Sequence, residues 1–485
     1  MKLDEKDVLV IGAGIMGAGI AQVAAQSMQG KGQRVYLHDA REGAAAEAKA
    51  KLGKTLDGLV AKGKLAADAA QAALARIIPI SATAEAAGVG VVVEAIVEKL
   101  EVKRALFREL EALVSADCVL ATNTSSISVT AIANGLQRPG RLVGMHFFNP
   151  VPLMKLVEVV SGLQTDAAVA DAIFDLSKVW GKVPVHARST PGFIVNRIAR
   201  PYYAETLALL QEQAASPELL DACLKAAGFR MGPCELMDLI GHDTNFSVTC
   251  SVYEANFQDK RYVPSLVQRE MVDGGLLGRK SGRGFYRYPE GAPALPTPEL
   301  GQGTTQEASP PATPDPRHPG VVVDGVHLIP TDGRTARQWS RELGTSAVVV
   351  HDRIIVRPAA GSTTPRAPAL AYAAAPELSA AHREVALRHL AAQGFEPHEL
   401  ADTPGLVVAR TVAMLINEAA DAVHQGVCTP EGADSAMKLG VNYPAGPFEW
   451  LAQWNATEVA ALLDRLDAHC RGERYRVSPW LRLRA

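Results

Sequence analysis

The chain opens on a run of four apolar residues, Val8–Ile11, followed at once by glycines and then by a small-residue run from Ile15. The first reads as a short buried strand and the second as a helix. Arg34-Val-Tyr-Leu-His-Asp39 reads as a second strand ending in an acid, and residues 41–75, rich in Ala, Lys and Glu with scattered Leu, read as helices. Three more apolar runs follow: Gly-Val-Val-Val-Glu94, Cys118-Val-Leu-Ala-Thr122 and Leu142-Val-Gly-Met-His-Phe-Phe148. Lys155-Leu-Val-Glu-Val-Val160 is another. Runs that are apolar at every position, rather than alternating, fit strands covered on both faces. Strands alternating with helices predict a doubly wound parallel sheet over residues 1–187.

Beyond it the period changes. Thr190-Pro-Gly-Phe-Ile-Val-Asn-Arg197 carries a Thr cap and a Pro at the first helical position, and helical patterning continues to residue 288. Residues 289–319 are dense in proline and read as a linker. Residues 320–400 hold short β runs and a helix, as in a small α/β insert. Residues 401–485 repeat the helical region: Thr403-Pro-Gly-Leu-Val-Val-Ala-Arg410 echoes 190–197, and Gly440-Val-Asn-Tyr-Pro-Ala-Gly-Pro echoes the stretch from Gly228. The expected fold is a Rossmann-type α/β domain followed by all-α domains from a duplicated helical unit. The copies differ at Asn196, which is Ala409 in the second, so the second copy reads as structural.

The glycines give the first sheet a chemistry. Gly12, Gly14 and Gly17 stand at G-x-G-x-x-G spacing between strand and helix. Gly12 permits the turn, Gly14 lets backbone approach a pyrophosphate, and Gly17 lets the helix pack close. The helix N-terminus offers free N–H groups to phosphate. An acid at Asp39 would bond the ribose hydroxyls and repel a 2′-phosphate, which favours NAD over NADP. Ser27–Gln33 lengthens the connection before it, so Asp39 comes late. Ligands of such sheets bind beyond the carboxyl ends of the strands, where Asp39, Glu94, Asn123, Ser125, His146 and Asn149 all fall. Glu158, twelve residues after His146, would fix the imidazole tautomer and raise its basicity. Ser125 and Asn196 offer hydrogen bonds to an oxygen that becomes a carbonyl.

Composition changes little. Among 485 residues 48% are hydrophobic and 21% charged, with a net charge of −3 that gives no hint of a nucleic-acid partner. No apolar run reaches the ~18 residues of a membrane span, and no charged-then-apolar leader precedes Val8. Six cysteines are scattered without C-x-x-C, so no metal site is expected, and a cytoplasmic protein with reduced thiols is.

Together, Gly-Ala-Gly-Ile-Met-Gly-Ala-Gly-Ile, Val-Glu-Ala-Ile-Val-Glu, Thr-Asn-Thr-Ser-Ser, His-Phe-Phe-Asn-Pro-Val-Pro-Leu-Met-Lys and Thr-Pro-Gly-Phe-Ile-Val-Asn-Arg, in this order, resemble the L-3-hydroxyacyl-CoA dehydrogenase family. The resemblance covers residues 5–288 closely and 402–455 as a degenerate second helical domain, as in the bacterial long form. It implies NAD-dependent oxidation of (S)-3-hydroxyacyl-CoA to 3-oxoacyl-CoA, with His146 as general base, Glu158 as its partner, and Ser125 and Asn196 on the 3-oxygen near Asn149. It implies NAD contacts at Asp39, Glu98, Lys103, Ser125, Asn149 and Lys280, beside Gly12, Gly14, Ile15, Met16 and Gly17. Lys62, with Lys64, would meet the phosphates of the acyl-CoA. Members of that form act on 3-hydroxyadipyl-CoA in phenylacetate breakdown or on 3-hydroxybutyryl-CoA, as in β-oxidation of fatty acids; length and architecture favour the former. Short-form relatives are dimers, so a homodimer, or a pseudo-dimer within one chain, is expected. Two readings stay open at this point: a gulonate-type sugar-acid dehydrogenase, and a non-catalytic NAD-binding protein.

Overall fold

The computed structural model describes residues 2–28, 32–289, 312–355 and 367–485. They fall into two compact units, Met1–Val195 with Gln425–Val441, and Asn196–His424 with Asn442–Ala485.

The first unit runs β1 (Val8–Ile11), α1 (Ile15–Ser27), β2 (Val35–His38), α2 (Ala44–Ala61), α3 (Ala67–Arg76), β3 (Ile77–Pro79), β4 (Val91–Glu94), α4 (Leu100–Leu113), β5 (Val119–Thr122), α5 (Val129–Ala133), β6 (Leu142–Phe147), β7 (Leu156–Ser161), α6 (Ala167–Val179) and β8 (Val183–Arg188). One sheet takes all eight strands in the order β3-β2-β1-β4-β5-β6-β7-β8. Strands β1, β4 and β5 are buried at every position, as expected of strands covered on both faces. The strand order reverses direction between β1 and β4, the place where such sheets bind ligands.

The sheet is not parallel throughout. β1 to β6 are parallel, β7 runs antiparallel to β6, and β8 is parallel to β7. The reason is the connection: residues 148–155 are too few for the crossover of a dozen or more residues that a parallel return needs. Strands β3 and β8 were not expected. β3 is three residues long, and β8 opens on Val183-Pro184 with a buried-exposed pattern of no regular period.

The first unit closes at Val195 rather than at residue 187, because the N–H groups of Ile194 and Val195 bond Glu158 on β7. It also takes back a piece of the second helical repeat. Residue 427 accepts a bond through its carbonyl from Arg188 N, at the edge strand β8.

The second unit begins with α7 (Val195–Ile198, its first residue still in unit one), α8 (Arg200–Gln211), α9 (Pro217–Ala226), α10 (Pro233–Ile240), α11 (His242–Ala255) and α12 (Leu266–Asp273). Then follow β9 (Ala312–Pro314), β10 (Val321–Val323), β11 (Val326–Pro330), α13 (Ala336–Leu343), β12 (Val348–His351), β13 (Ala369–Ala374), α14 (Ala380–Ala392), β14 (Glu396–Glu399) and α15 (Val408–His424). Helix α16 (Pro430–Gly440) packs on β7 and β8 of the first unit, while α17 (Pro447–Trp454), α18 (Ala456–Cys470) and α19 (Pro479–Arg482) complete the second. The second unit is therefore not all helical: within residues 312–355 and 367–399, strands β9 to β14 form a six-stranded sheet, β14-β13-β12-β11-β10-β9. Of the linker expected over 289–319, residues 290–311 lie outside the described residues. Residues 312–314 are strand β9 instead, at the sheet edge where Pro314 sacrifices no ladder bond to a further strand.

The two helical repeats meet through α8 and α15. Arg197, the last residue of the first Thr-Pro-Gly motif, bonds Glu418 on α15 at 2.6 Å. Arg410, the last of the second motif, bonds Glu205 on α8 at 2.8 Å. Each glutamate lies eight residues after the arginine of its own copy. Tyr262 donates to Glu418 (2.5 Å), and Tyr475 to Glu205 (2.9 Å). Residue i meeting j′ while j meets i′ is the signature of a two-fold interface, here within one chain.

Candidate active site

Gly12 has φ +103, and a Cβ there would lie 2.3 Å from the Ala95 carbonyl oxygen; at Gly17 it would lie 1.8 Å from that of Gly12. Both glycines are thus demanded by packing. Gly14 is the opposite case: a Cβ there meets nothing, so the free space flanks the start of α1. That helix has no side-chain cap and no acid in its first turn, leaving its N–H groups and positive end for an anion. Ile15 is exposed beside it. Asp39, just past β2, accepts from Ala13 N at 2.7 Å and from Arg41 N at 2.9 Å. Its carboxylate is thereby held against the glycine turn, despite the long connection before β2. The space at Gly14, the uncapped helix and the placed carboxylate fit a dinucleotide.

On β6 and β7, His146 and Glu158 are register partners in the antiparallel pair. His146 Nδ1 lies 2.5 Å from Glu158 Oε2, with both side chains buried. The other oxygen, Oε1, accepts from Ile194 N at 3.1 Å and Val195 N at 2.9 Å. A carboxylate at Nδ1 makes that nitrogen the N–H donor and leaves the Nε2 lone pair to act as a base. Phe148 and Phe193 pack around the imidazole, with ring centroids 4.6 and 5.8 Å away.

Glu98 organises the loop after β5. Its Oε1 accepts from Thr124 Oγ1 (2.6 Å), Ser125 N (2.9 Å) and Ser126 N (3.2 Å). Burial works against its charge, but Lys103, Thr124 and the Ser125 N–H outweigh it and hold the carboxyl below the usual glutamate value. Ser125 is so placed by Glu98. Asn123 Oδ1 accepts from Phe147 N at 2.8 Å and ties this loop to β6.

Lys103, which the resemblance implies as an NAD contact, is buried between two acids. It is 1% exposed, 2.5 Å from Glu94 Oε1 and 3.2 Å from Glu98 Oε2. It holds two acids together rather than presenting an ammonium at the surface. Asn149 is exposed just past β6, and Lys62, like Lys64, is exposed at the end of α2. In the second unit, Asn196 is half-buried in α7, and Lys280 pairs with Asp243.

The model of the 3-hydroxyacyl-CoA dehydrogenase NAD-binding domain matches residues 7–190. That of the 3-hydroxyacyl-CoA dehydrogenase C-terminal domain matches residues 192–288 and again 405–484. The 3-hydroxybutyryl-CoA dehydrogenase reduced Rossmann-fold domain matches 328–404. The chain is 45% identical over 487 residues to the 3-hydroxyadipyl-CoA dehydrogenase of Escherichia coli K12, covering 100% of this chain and 98% of that one.

The chain belongs to the 3-hydroxyacyl-CoA dehydrogenase family. The crystal structure of an E. coli K12 3-hydroxybutyryl-CoA dehydrogenase superposes with a TM-score of 0.92 at 44% identity, covering 99% of this chain and 98% of that one. That of the (S)-3-hydroxybutyryl-CoA dehydrogenase of Ralstonia eutropha is 40% identical and covers 59% of this chain and 99% of its own, with a TM-score of 0.56. As a family dehydrogenase the chain is an NAD-dependent oxidoreductase, and its 320–400 insert carries the reduced Rossmann-fold domain.

Glu94 does more than end its strand. It is fully buried and accepts from Ile96 N, Lys103 and Thr122 Oγ1. An acid ending an apolar strand with a lysine one helical stretch later was the available signal. The expectation of no metal site meets one grouping among the described residues, Asp315, His318 and His327. Its lone pairs are spoken for. His318 Nδ1 accepts from Gly320 N, so its Nε2 carries the proton and donates to His327 Nδ1 at 2.9 Å. Asp315 is gripped by Arg317. Among the described residues of this family member, no helix is long and apolar enough to cross a membrane.

Proposed function

We propose that this protein oxidises the hydroxyl of an (S)-3-hydroxyacyl-CoA to the 3-oxo thioester, with 3-hydroxyadipyl-CoA as the substrate and phenylacetate breakdown in the cytoplasm as the setting. The observation that carries the reading is the buried His146–Glu158 pair at the end of β6. His146 Nε2 takes the hydroxyl proton. Glu158 stabilises the imidazolium that forms and, fixed by two backbone N–H groups, keeps the ring from turning. Ser125, positioned through Glu98, and Asn196 hold the substrate oxygen while it gains double-bond character. NAD, when bound, accepts the hydride. Gly14 and the α1 N-terminus would hold its pyrophosphate, with Ile15 and Met16 alongside, and Asp39 would take the ribose. Glu98 and Asn149 would serve the nicotinamide end, Lys103 would act on the cofactor through Glu94 and Glu98, Lys280 would be a further cofactor contact, and Lys62 would meet the acyl-CoA phosphates.

We further propose that the two helical repeats, 188–288 and 401–485, stand in for a subunit contact, making the chain a pseudo-dimer. The reciprocal Arg197–Glu418 and Arg410–Glu205 pairs support this.

The test is NADH formation from 3-hydroxyadipyl-CoA and (S)-3-hydroxybutyryl-CoA, with wild type and His146→Ala. Turnover of either thioester that falls by orders of magnitude in the variant supports the base assignment. Turnover of a free hydroxy acid with neither thioester reacting would return the sugar-acid reading.

A further inference from the structure

Arg200, the first residue of α8, is 6% exposed, and among the described residues no carboxylate lies within ion-pairing distance of it. Its Nε donates to the Asn196 carbonyl oxygen at 2.9 Å and its Nη1 to Thr249 Oγ1 at 3.1 Å. Its guanidinium lies over the Tyr203 ring, 4.9 Å from the centroid. Every other deeply buried arginine of the helical repeats is answered by acid: Arg197 and Arg261 by Glu418 and Asp421, and Arg410 by Glu205 and Glu212. Burial pulls the Arg200 guanidinium below the usual arginine value, with only the tyrosines beside it acting the other way. A buried cation held by neutral groups alone is costly and calls for a partner.

The same residue lines a cavity of about 250 Å³ within the second unit. Its walls are largely apolar, with Leu207, Val263 and Pro264 among them, and polar at Thr249 and Ser265. Arg474 also borders it, but its charge is already met by Glu205 at 2.9 Å. The cavity thus offers apolar lining and a single unanswered positive charge. That suits a short carbon chain ending in one carboxylate better than a phosphate, which carries more charge and more acceptor oxygens. The arginine is one turn from Asn196, and its own Nε fixes the Asn196 carbonyl.

We infer that Arg200 is the specificity residue that receives the distal carboxylate of a dicarboxylyl-CoA substrate. The inference rests on the thioester-dehydrogenase reading above and names the acyl class within it. In a 3-hydroxyadipyl chain that carboxylate stands three carbons beyond the carbon that bears the reacting hydroxyl. Arg200 then both anchors the tail and, through the Asn196 carbonyl, links tail binding to the residue at the 3-oxygen. An uncharged tail leaves the guanidinium unanswered, so discrimination comes from both partners of the pair.

The experiment compares kcat/KM for 3-hydroxyadipyl-CoA and 3-hydroxyhexanoyl-CoA, which has the same carbon count but a methyl end, in wild type, Arg200→Met and Arg200→Lys. Wild type is expected to favour the dicarboxylyl thioester. The ratio of the two kcat/KM values is expected to fall about 100-fold in Arg200→Met, the order seen on truncating one side of a buried charge pair, and less in Arg200→Lys, which keeps the charge but not the fork. A wild type that favours the methyl-ended thioester overturns the inference, whatever the variants do. So does a ratio in Arg200→Met within about threefold of wild type. If Arg200→Met does not fold, the wild-type ratio and Arg200→Lys decide: a preference for the diacid that the lysine variant leaves undiminished counts against Arg200. A wild type inert on both thioesters is a failure of the dehydrogenase reading instead.

Discussion

Asp352 does for the second helical repeat what Glu158 does for the first. Glu158 receives the N–H groups of Ile194 and Val195; Asp352 receives those of the matching Val407 and Val408, and of Ala409 as well. Both acids seat the turn that follows Thr-Pro-Gly. Glu158 keeps one oxygen for His146, whereas both oxygens of Asp352 are taken by backbone. The pair separates a scaffold role from a catalytic one. Asp352→Ala should destabilise the protein by about 3 kcal/mol, because several buried N–H groups lose their acceptor, with kcat unchanged. Chemical denaturation and steady-state rates check both halves.

Glu158→Gln keeps the size and an acceptor for Ile194 and Val195 but no longer stabilises an imidazolium. We expect kcat to fall by about 10²–10⁴ with a far smaller change in melting temperature. Equal KM values for NAD in variant and wild type would confine the effect to the chemical step.

Glu98→Gln should act on the loop that carries Ser125. The amide oxygen still accepts, but the charge answered by Lys103 is gone. The expectation is a rise of about tenfold in KM for NAD and a smaller loss in kcat. Isothermal titration with NADH measures the first directly.

Glu205 and Glu418 link stability to pH. Burial opposes their ionisation, but Arg474 and Arg410 on the first, and Arg197 and Arg261 on the second, outweigh it and lower both values from 4.5. Depressed folded values mean that the folded state binds fewer protons than the unfolded chain. The stability from these pairs is therefore fully present above 4.5 and is lost as pH falls through the lower folded values. Thermal melts should show a steep decline on the acid side. Glu418→Gln should reduce that dependence while costing about 3–5 kcal/mol at neutral pH, since it leaves two buried arginines short of a partner.

Much of this was legible in the chain. The glycine spacing, the apolar runs and the His146–Glu158 separation gave the sheet, the cofactor loop and the dyad, because each depends on local pattern. The direction of β7 did not show, since an apolar strand reads the same either way; only the shortness of 148–155 betrays it. The burial of Lys103 between two acids did not show either, because helical spacing does not reveal which acids a fold brings over a lysine. Arg200 gave no signal at all. An arginine before Pro201 at a helix start is unremarkable until the missing counter-charge becomes visible in three dimensions.

Helix α16 has a consequence in time. It packs on β7 and β8, and a Cβ at its Gly440 would lie 2.7 Å from Leu156 and 3.6 Å from Phe148, the ring beside His146. The sheet that carries the dyad is therefore finished by residues 425–441. On the ribosome, where folding proceeds from the N-terminus, the strands of residues 8–188 emerge long before this helix does. Nascent chains halted near residue 290 should expose the flank of β7 and β8 and bind chaperones, and release should follow synthesis past residue 441. Ribosome-bound chains of graded length, probed by limited proteolysis, would show protection of the first unit arriving only with the last stretch translated.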